Sequence, residues 1–370
     1  MEGTKPRTAS SLGMFDLLKG VGMLLIVFAH TSELYPVGDI STITPVTFFL
    51  FAYRESLMAA FYIASGYGFR KRSIGKCISQ QFKTLFKPYA YTGLATTIAH
   101  FVIHYKTFGN WNNAVYETYK VLGGFVLGLP HTATYFGQEF FSCGPMWYLL
   151  ALMIGWILLD IILNIFPESY IKWAVLGTML LGWGISLVWE APFCIAQGMV
   201  TVPYLYIGFL AKKKRLFEKK FRPLAILGLL AAALGVLLTG KTDCVSLGEW
   251  TMGPVSILLD GIVGLGFIVL FMKVQRLLDN PVTHLIEAVV RRSLYIFCIH
   301  TVELTAVPWY LMVQKYAAAP TKGLWLQYAV SLGSIFLLCE ILLRRRDVML
   351  KFFPARRRHF AEHQRYVAKH

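Results

Sequence analysis

The sequence predicts an all-α polytopic membrane protein with about ten transmembrane helices. Three observations predict this class: the composition, the long apolar runs and the placement of the basic residues. Hydrophobic residues make up 56% of the 370 residues and charged residues 15%, whereas soluble domains are about 45–50% apolar and about 25% charged. The mean hydropathy is +0.54. Too few polar side chains remain to cover a water-facing surface, so a soluble globular chain is excluded, as are disordered and disulfide-framework classes.

Ten apolar runs approach the length that crosses a bilayer, which is about twenty residues of helix. They lie near residues 14–32, 46–69, 88–105, 144–164, 172–189, 192–210, 222–239, 252–273, 291–309 and 324–343. Because the number is even, both termini are expected on the same side. The connection 106–143 is then the longest one on the opposite, outer side. It is rich in aromatic residues, and we expect it to lie partly on the membrane surface.

The basic residues lie mainly on one side of this arrangement. Six Lys and Arg fall in 70–87, seven in 211–222 and nine in 344–370. Basic residues of short loops stay in the cytoplasm, so we expect an N-in, C-in protein. We expect it in a bacterial cytoplasmic membrane. The net charge of +16 is thereby assigned to orientation and lipid contact, and no nucleic-acid partner is expected. The predicted domains are a membrane domain over 1–343 and a basic cytoplasmic tail over 344–370.

The first run carries three ionisable side chains, Asp16, Lys19 and His30. Such groups are costly in hydrocarbon, which makes each a functional candidate. Helical geometry places Lys19 and His30 about 20° apart around the axis and about 16 Å apart along it. Asp16 lies on the same face, three residues before Lys19, and can pair with it. A neutral imidazole can take a proton from a hydroxyl group. The structural alternative is a snorkelling Lys and a His bonded to a neighbouring helix.

Five sequence elements resemble, in order, the acyltransferase family 3 membrane O-acyltransferases. They lie at residues 15–30, 61–72, 81–89, 144–152 and 292–300. The first contains the Lys, ten residues and His of the family, preceded by the companion Asp. The others contain the family's Ser-Gly-Tyr, Pro-Tyr, Trp-aromatic-Leu and late Ser-Leu-Tyr-Ile…His patterns. Where the family often has His-Met-Pro, this sequence reads Leu57-Met58-Ala59, so any role of that His is absent.

The resemblance implies transfer of an acyl group, usually acetyl, from acyl-CoA to a hydroxyl, often on an envelope carbohydrate. His30 is then the expected general base, with Lys19 and Asp16 in the same site. Acyl-CoA is a co-substrate, and we expect no permanently bound cofactor or metal. Arg70, Lys71 and Arg72 lie at the predicted cytoplasmic mouth and, with Lys19, are expected to hold the donor. Ordinary positive-inside charge explains these three residues equally.

Six further residues are candidates for contact with the acceptor: His300, Glu303, Arg54, Glu55, Trp147 and Tyr148. Several alternatives stay open for them. His300 is able to assist catalysis, bind the acceptor or bond to a neighbouring helix, and Glu303 shares its face and is able to orient it. Arg54 and Glu55 either pair with each other or line a cleft. The two aromatic residues suit sugar stacking, but also an interfacial belt.

Two other functions also fit a bundle with buried charges. One is a secondary transporter, although the two halves of the sequence show no matching inverted repeats. The other is a non-catalytic membrane sensor or assembly partner. The six cysteines show no Cys-x-x-Cys or Cys/His ligand spacing. Cys143 and Cys244 are both expected on the outer side, where a disulfide between them is an open alternative.

Overall fold

The computed structural model describes residues 15–35, 45–218, 244–250, 252–277, 286, 289, 290 and 292–352. Side chains are described for these residues except 45–55, 276, 277 and 346–352. Most of the described chain is helical. Its α-helices are α1 (Asp16–Glu33), α2 (Pro45–Tyr67), α3 (Ile74–Gln81), α4 (Lys87–Phe108), α5 (Trp111–Leu127), α6 (Trp147–Ile165), α7 (Glu168–Val188), α8 (Ile195–Lys213), α9 (Pro254–Leu277), α10 (Ser293–Ala306), α11 (Tyr310–Lys315) and α12 (Pro320–Phe352).

Five helices of the described chain are long and apolar enough to cross a membrane. They are Gly144–Ile165, Glu168–Val188, Pro192–Lys213, Pro254–Gln275 and Pro320–Arg345. Each coincides with one of the ten predicted runs. Helices α1, α2, α4 and α10 cover four more runs, and α10 is apolar but short. The run 222–239 lies outside the described residues. The fold is therefore that of an all-α integral membrane protein, while the number of ten and the orientation stay predictions.

The segment 70–87, expected as a loop, is mostly helical. Helix α3 continues through a π-helical turn, Phe82–Phe86, directly into α4. Helix α3 packs on α6, because its buried side includes Cys77, whose Sγ lies 3.9 Å from the Trp156 carbonyl oxygen. The loop prediction was wrong since an amphipathic segment with a neighbouring helix to cover its apolar face gains more as helix than as loop.

The segment 106–143, expected as an outer loop, contains helix α5 and a short hairpin. Gly109 ends α4 in the left-handed region (φ 67°), and the Asn110 side chain caps the start of α5. Helix α5 then runs back along α4, where the Tyr89 hydroxyl donates to the Phe125 carbonyl oxygen. Strands β1 (Ala133–Tyr135) and β2 (Gln138–Phe140) pair antiparallel. Polar residues interrupt the apolar pattern of α5, so no long apolar run indicated this helix.

Close helix contacts fix the bundle around α1. Helices α2 and α8 touch backbone to backbone, since a methyl group on Gly66 would overlap the backbone of Leu205. Helix α1 packs on α12, where the Tyr328 hydroxyl donates to the Leu24 carbonyl oxygen over 3.2 Å and the Tyr328 ring packs edge-on against Phe28. These contacts occupy one side of α1 and leave its polar stripe facing α2, α6 and α10.

Candidate active site

The polar stripe of α1 forms one wall of a cavity of about 330 Å³. The wall residues of this helix recur every three or four positions, apart from the adjacent pair Ala29 and His30, which places them on one face. They are Lys19, Met23, Ile26, Ala29, His30 and Glu33. The structure thus brings Lys19 and His30 to the same cavity, at positions one above the other along the helix. Apolar side chains of α1 separate them.

The remaining walls are mostly apolar and come from three helices and one turn. They include Met58, Phe61 and Ser65 of α2, Trp147, Tyr148, Leu149 and Leu152 of α6, Ser293, Leu294 and Phe297 of α10, and Cys244 and Ser246. The ionisable groups of the α1 wall therefore lie at its two ends, and hydroxyl and thiol groups are scattered over the other walls. An apolar passage with a few placed polar groups is typical of a small-molecule site.

The end of the cavity near the start of α1 holds Lys19. Asp16 lies one turn earlier, close enough for its carboxylate to attract the Lys19 ammonium. The Phe15 ring packs on the Tyr67 ring with the ring centres 5.3 Å apart. The start of α1 and the end of α2 are therefore neighbours, and the segment 70–72 follows α2 directly.

The other end of the cavity holds His30, whose side chain is 28% exposed. Its Nδ1 lies 3.4 Å from Oε2 of Glu33. A carboxylate in this position can accept a hydrogen bond from the His30 ring. Glu33 was not singled out from the sequence, although its place three residues after His30 is a usable signal.

Behind His30, away from the cavity, lies a buried polar network. The rings of His30 and His300 have their centres 5.7 Å apart. His300 Nδ1 lies 3.2 Å from Oε2 of Glu303, and the Ser331 hydroxyl donates to Oε1 of Glu303 over 2.7 Å. The network joins α1, α10 and α12. Sequence reasoning missed Ser331, because a single Ser in an apolar helix carries no signal of its own.

The turn at residues 244–250 forms one side of the cavity. Cys244 and Ser246 contribute to the wall, and the Cys244 Sγ lies 3.2 Å from the Ser246 Oγ. The His131 ring fixes the turn, with Nδ1 at 3.0 Å from the Ser246 carbonyl oxygen and Nε2 at 3.1 Å from Oε1 of Glu190. His131 and Glu190 thus hold one wall of the cavity in place.

The family model described as an acyltransferase domain, that of acyltransferase family 3, matches residues 13–344, nearly the whole chain. The chain belongs to this family. The resemblance seen in the sequence is confirmed, and the protein is an integral-membrane acyltransferase that transfers groups other than aminoacyl groups. The match supports neither the transporter nor the sensor alternative. No curated protein and no solved structure matches the chain.

The acyltransferase places the other predicted site residues at differing distances from the cavity. Trp147 and Tyr148 lie on its wall. The exposed Arg70 and Lys71 follow α2, and the backbone N–H of Arg72 donates to Oδ1 of Asp160 over 2.9 Å. None of the three is among the wall residues that the structure describes. His300 and Glu303 lie behind His30, as described above.

Arg54 and Glu55 lie on α2, but their side chains are outside the described residues. The two cysteines considered for a disulfide, Cys143 and Cys244, have different neighbours. Cys244 faces the cavity, while Cys143 lies with its thiol against that of Cys194. The six cysteines, all within the described residues, form no disulfide bond with one another.

Proposed function

We propose that this acyltransferase moves an acyl group, expected to be acetyl, from acyl-CoA to a hydroxyl of an envelope carbohydrate or another small acceptor. The carrying observation is the cavity whose α1 wall extends from Lys19 to His30. It offers a cation at one end, an imidazole at the other and an apolar wall between them. We place the protein in a bacterial cytoplasmic membrane with both termini in the cytoplasm, as loop charge predicts.

The donor is proposed to enter from the end that holds Lys19. Coenzyme A has anionic phosphates and a long arm, and it is made in the cytoplasm. Arg70, Lys71 and Arg72 follow α2 near the start of α1, where they are placed to bind the phosphates. Lys19, restrained by Asp16, holds the arm at the inner end. The arm then lies along the apolar wall, and the thioester reaches His30 about 16 Å further along α1.

The chemistry is proposed to be general-base catalysis by His30. The imidazole takes the proton of the acceptor hydroxyl, whose oxygen attacks the thioester carbonyl carbon. The tetrahedral intermediate then breaks its carbon–sulfur bond, which yields the ester and the thiolate of coenzyme A. The protonated His30 returns the proton to this thiolate. Glu33, 3.4 Å from His30 Nδ1, stabilises the positive ring between the two steps.

The acceptor is proposed to bind at the His30 end. Trp147 and Tyr148 line the cavity with aromatic surface that suits a sugar ring. Arg54 and Glu55 on α2 stay candidates for binding acceptor hydroxyls. His300 and Glu303 were proposed from the sequence as acceptor contacts. Their burial behind His30 favours a role toward His30 itself.

The test is acyl transfer by the purified full chain in detergent or nanodiscs. Release of coenzyme A from acetyl-CoA is followed by mass spectrometry, and envelope glycans of cells with and without the protein identify the acceptor. His30→Ala is expected to lower the rate by about 10²–10⁴-fold, as loss of a general base does. Ser32→Ala is the matched control, since its hydroxyl bonds the Ala29 carbonyl and Ser32 is not a wall residue. A His30→Ala rate above about a tenth of wild type contradicts the proposal.

A further inference from the structure

The network behind His30 is buried more completely than His30 itself. The His300 side chain is 1% exposed and the Glu303 side chain 7% exposed. A carboxylate in such a place is costly unless its oxygens are hydrogen-bonded. Both are: Oε2 lies 3.2 Å from His300 Nδ1, and Oε1 accepts from the Ser331 hydroxyl. The network is therefore a complete arrangement around Glu303.

The same contacts set the position of the proton on His300. An ionised carboxylate only accepts hydrogen bonds, so Nδ1 of His300 carries the hydrogen that faces Glu303. In a neutral ring, Nε2 then bears a lone pair. This Nε2 is buried and has no hydrogen-bond partner within the part of the chain that the structure describes. A buried acceptor without a donor is unfavourable and calls for a partner that arrives during the reaction.

His30 is the group placed to supply that donor. Its ring centre lies 5.7 Å from that of His300, with the ring planes tilted by 39°. A small rotation of either ring brings an N–H of one to a nitrogen of the other. Catalytic hydrogen bonds are often long before substrate binds and shorten in the complex. Glu33 is the other acceptor near His30, but it is 49% exposed, and water weakens its attraction.

We propose that His300 is a positioning residue for His30, accepting an N–H of the His30 ring so that the other His30 nitrogen faces the reacting hydroxyl. Glu303 and Ser331 hold His300 in the required tautomer. The negative charge of Glu303, transmitted through the His300 ring, stabilises His30 while it carries the hydroxyl proton. No net proton is gained by His300, because His30 passes its proton to the thiolate. This inference rests on the proposed function, in which His30 is the base.

The test measures the ionisation of His30 without any acyl-CoA. Diethyl pyrocarbonate modifies neutral imidazoles, and peptide mass spectrometry after modification at a series of pH values gives the midpoint for His30. Titratable side chains that share the cavity or the network with it are Lys19, Glu33, Tyr148, Cys244, His300 and Glu303. Glu303→Gln is expected to move the His30 midpoint to lower pH by about one pH unit, since it removes a stabilising charge. The acid limb of the kcat/KM profile should move with it.

Ser334→Ala is the matched control, because Ser334 lies on the same helix and bonds the Ser331 carbonyl oxygen rather than Glu303. It should leave the midpoint unchanged, whereas His300→Gln should lower it as Glu303→Gln does. If Glu303→Gln does not fold, His300→Gln and Ser331→Ala carry the test. A midpoint that stays at the wild-type pH in the folded network variants overturns the assignment. Full activity of His30→Ala would instead contradict the proposed function, so the two failures are distinguishable.

Discussion

Lys19 and His30 line one cavity from the same face of α1, with about 16 Å of helix between them. This separation excludes direct contact, so Lys19 does not act on His30 by pairing with it. Asp16 is the acid nearest Lys19 in the helix, and Glu33 is the acid beside His30. Each end of the cavity therefore has its own nearby carboxylate, and donor binding is separable from proton transfer by mutation.

Lys19→Ala is expected to weaken binding of coenzyme A by about tenfold or more, which corresponds to about 1.4 kcal/mol. Lys19→Arg should keep most of the affinity, because it keeps the positive charge. His30→Ala should bind coenzyme A nearly as tightly as wild type. Calorimetry on the solubilised protein measures all three. If Lys19→Ala binds like wild type, Lys19 is a structural anchor and the donor follows another path.

Cys244 should report occupation of the cavity. Among the described wall residues it is the one cysteine. Cys77, Cys143, Cys194 and Cys339 are buried elsewhere, and the half-buried Cys298 lies against Thr92 rather than on the cavity wall. A small uncharged thiol reagent is expected to modify Cys244 and to stop acyl transfer by blocking the cavity. Saturating acetyl-CoA should slow this modification several-fold, as read by peptide mass spectrometry. Equal rates with and without acetyl-CoA would show that the donor does not occupy this cavity.

Gly66→Ala is expected to destabilise the protein, because the new methyl group would overlap the Leu205 backbone between α2 and α8. Overpacking of this kind typically costs about 1–3 kcal/mol. Gly177→Ala on α7 is the control, since no heavy atom lies within 4 Å of the added methyl group. It should be neutral or stabilising by up to about 1 kcal/mol. The midpoint of thermal unfolding in detergent compares them, and equal midpoints would refute the contact.

Orientation is tested with single cysteines in a chain whose own cysteines are replaced. Lys71→Cys is expected to react with an impermeant thiol reagent only after the cells are permeabilised, because positive charge keeps segment 70–87 inside. Phe136→Cys, at the hairpin tip where Phe136 is 94% exposed, should react in intact cells. Labelling of Lys71→Cys in intact cells would contradict the N-in orientation.

The sequence predicts the polar stripe of α1 because that stripe depends only on helical geometry within one segment. The partners of other buried acids depend on which helices become neighbours. Ser331 bonds Glu303 from 28 residues away, Arg292 pairs with Glu340 across 48 residues, and Ser56 donates to Asp260 across 204. The residue pattern within one segment cannot predict pairs between different helices. Glu33 is the exception, since its spacing from His30 was visible in the sequence.

Helix α5 shows a second limit of the same reasoning. Its exposed face carries Trp111, Tyr116 and Tyr119. Its buried side includes Ala114 and Val121. Because polar and apolar residues are mixed along α5, it contains no continuous apolar run, and the segment was predicted as a loop. The partner α4 supplies the missing stabilisation, and its presence follows only from the tertiary structure.

The π-helical turn Phe82–Phe86 determines how α4 is rotated about the helix axis relative to α3. A π turn holds one residue more than an α turn, so it shifts the phase of every following residue by about 100° around the axis. Upstream of the turn the helix buries Cys77 against α6, and downstream it buries Tyr89, Thr92 and Thr96. Removing one residue here would leave both helices intact but would rotate α4, and α5 with it, away from α10. The turn acts as a fixed angular offset, and its five residues set which side of α4 the rest of the bundle meets.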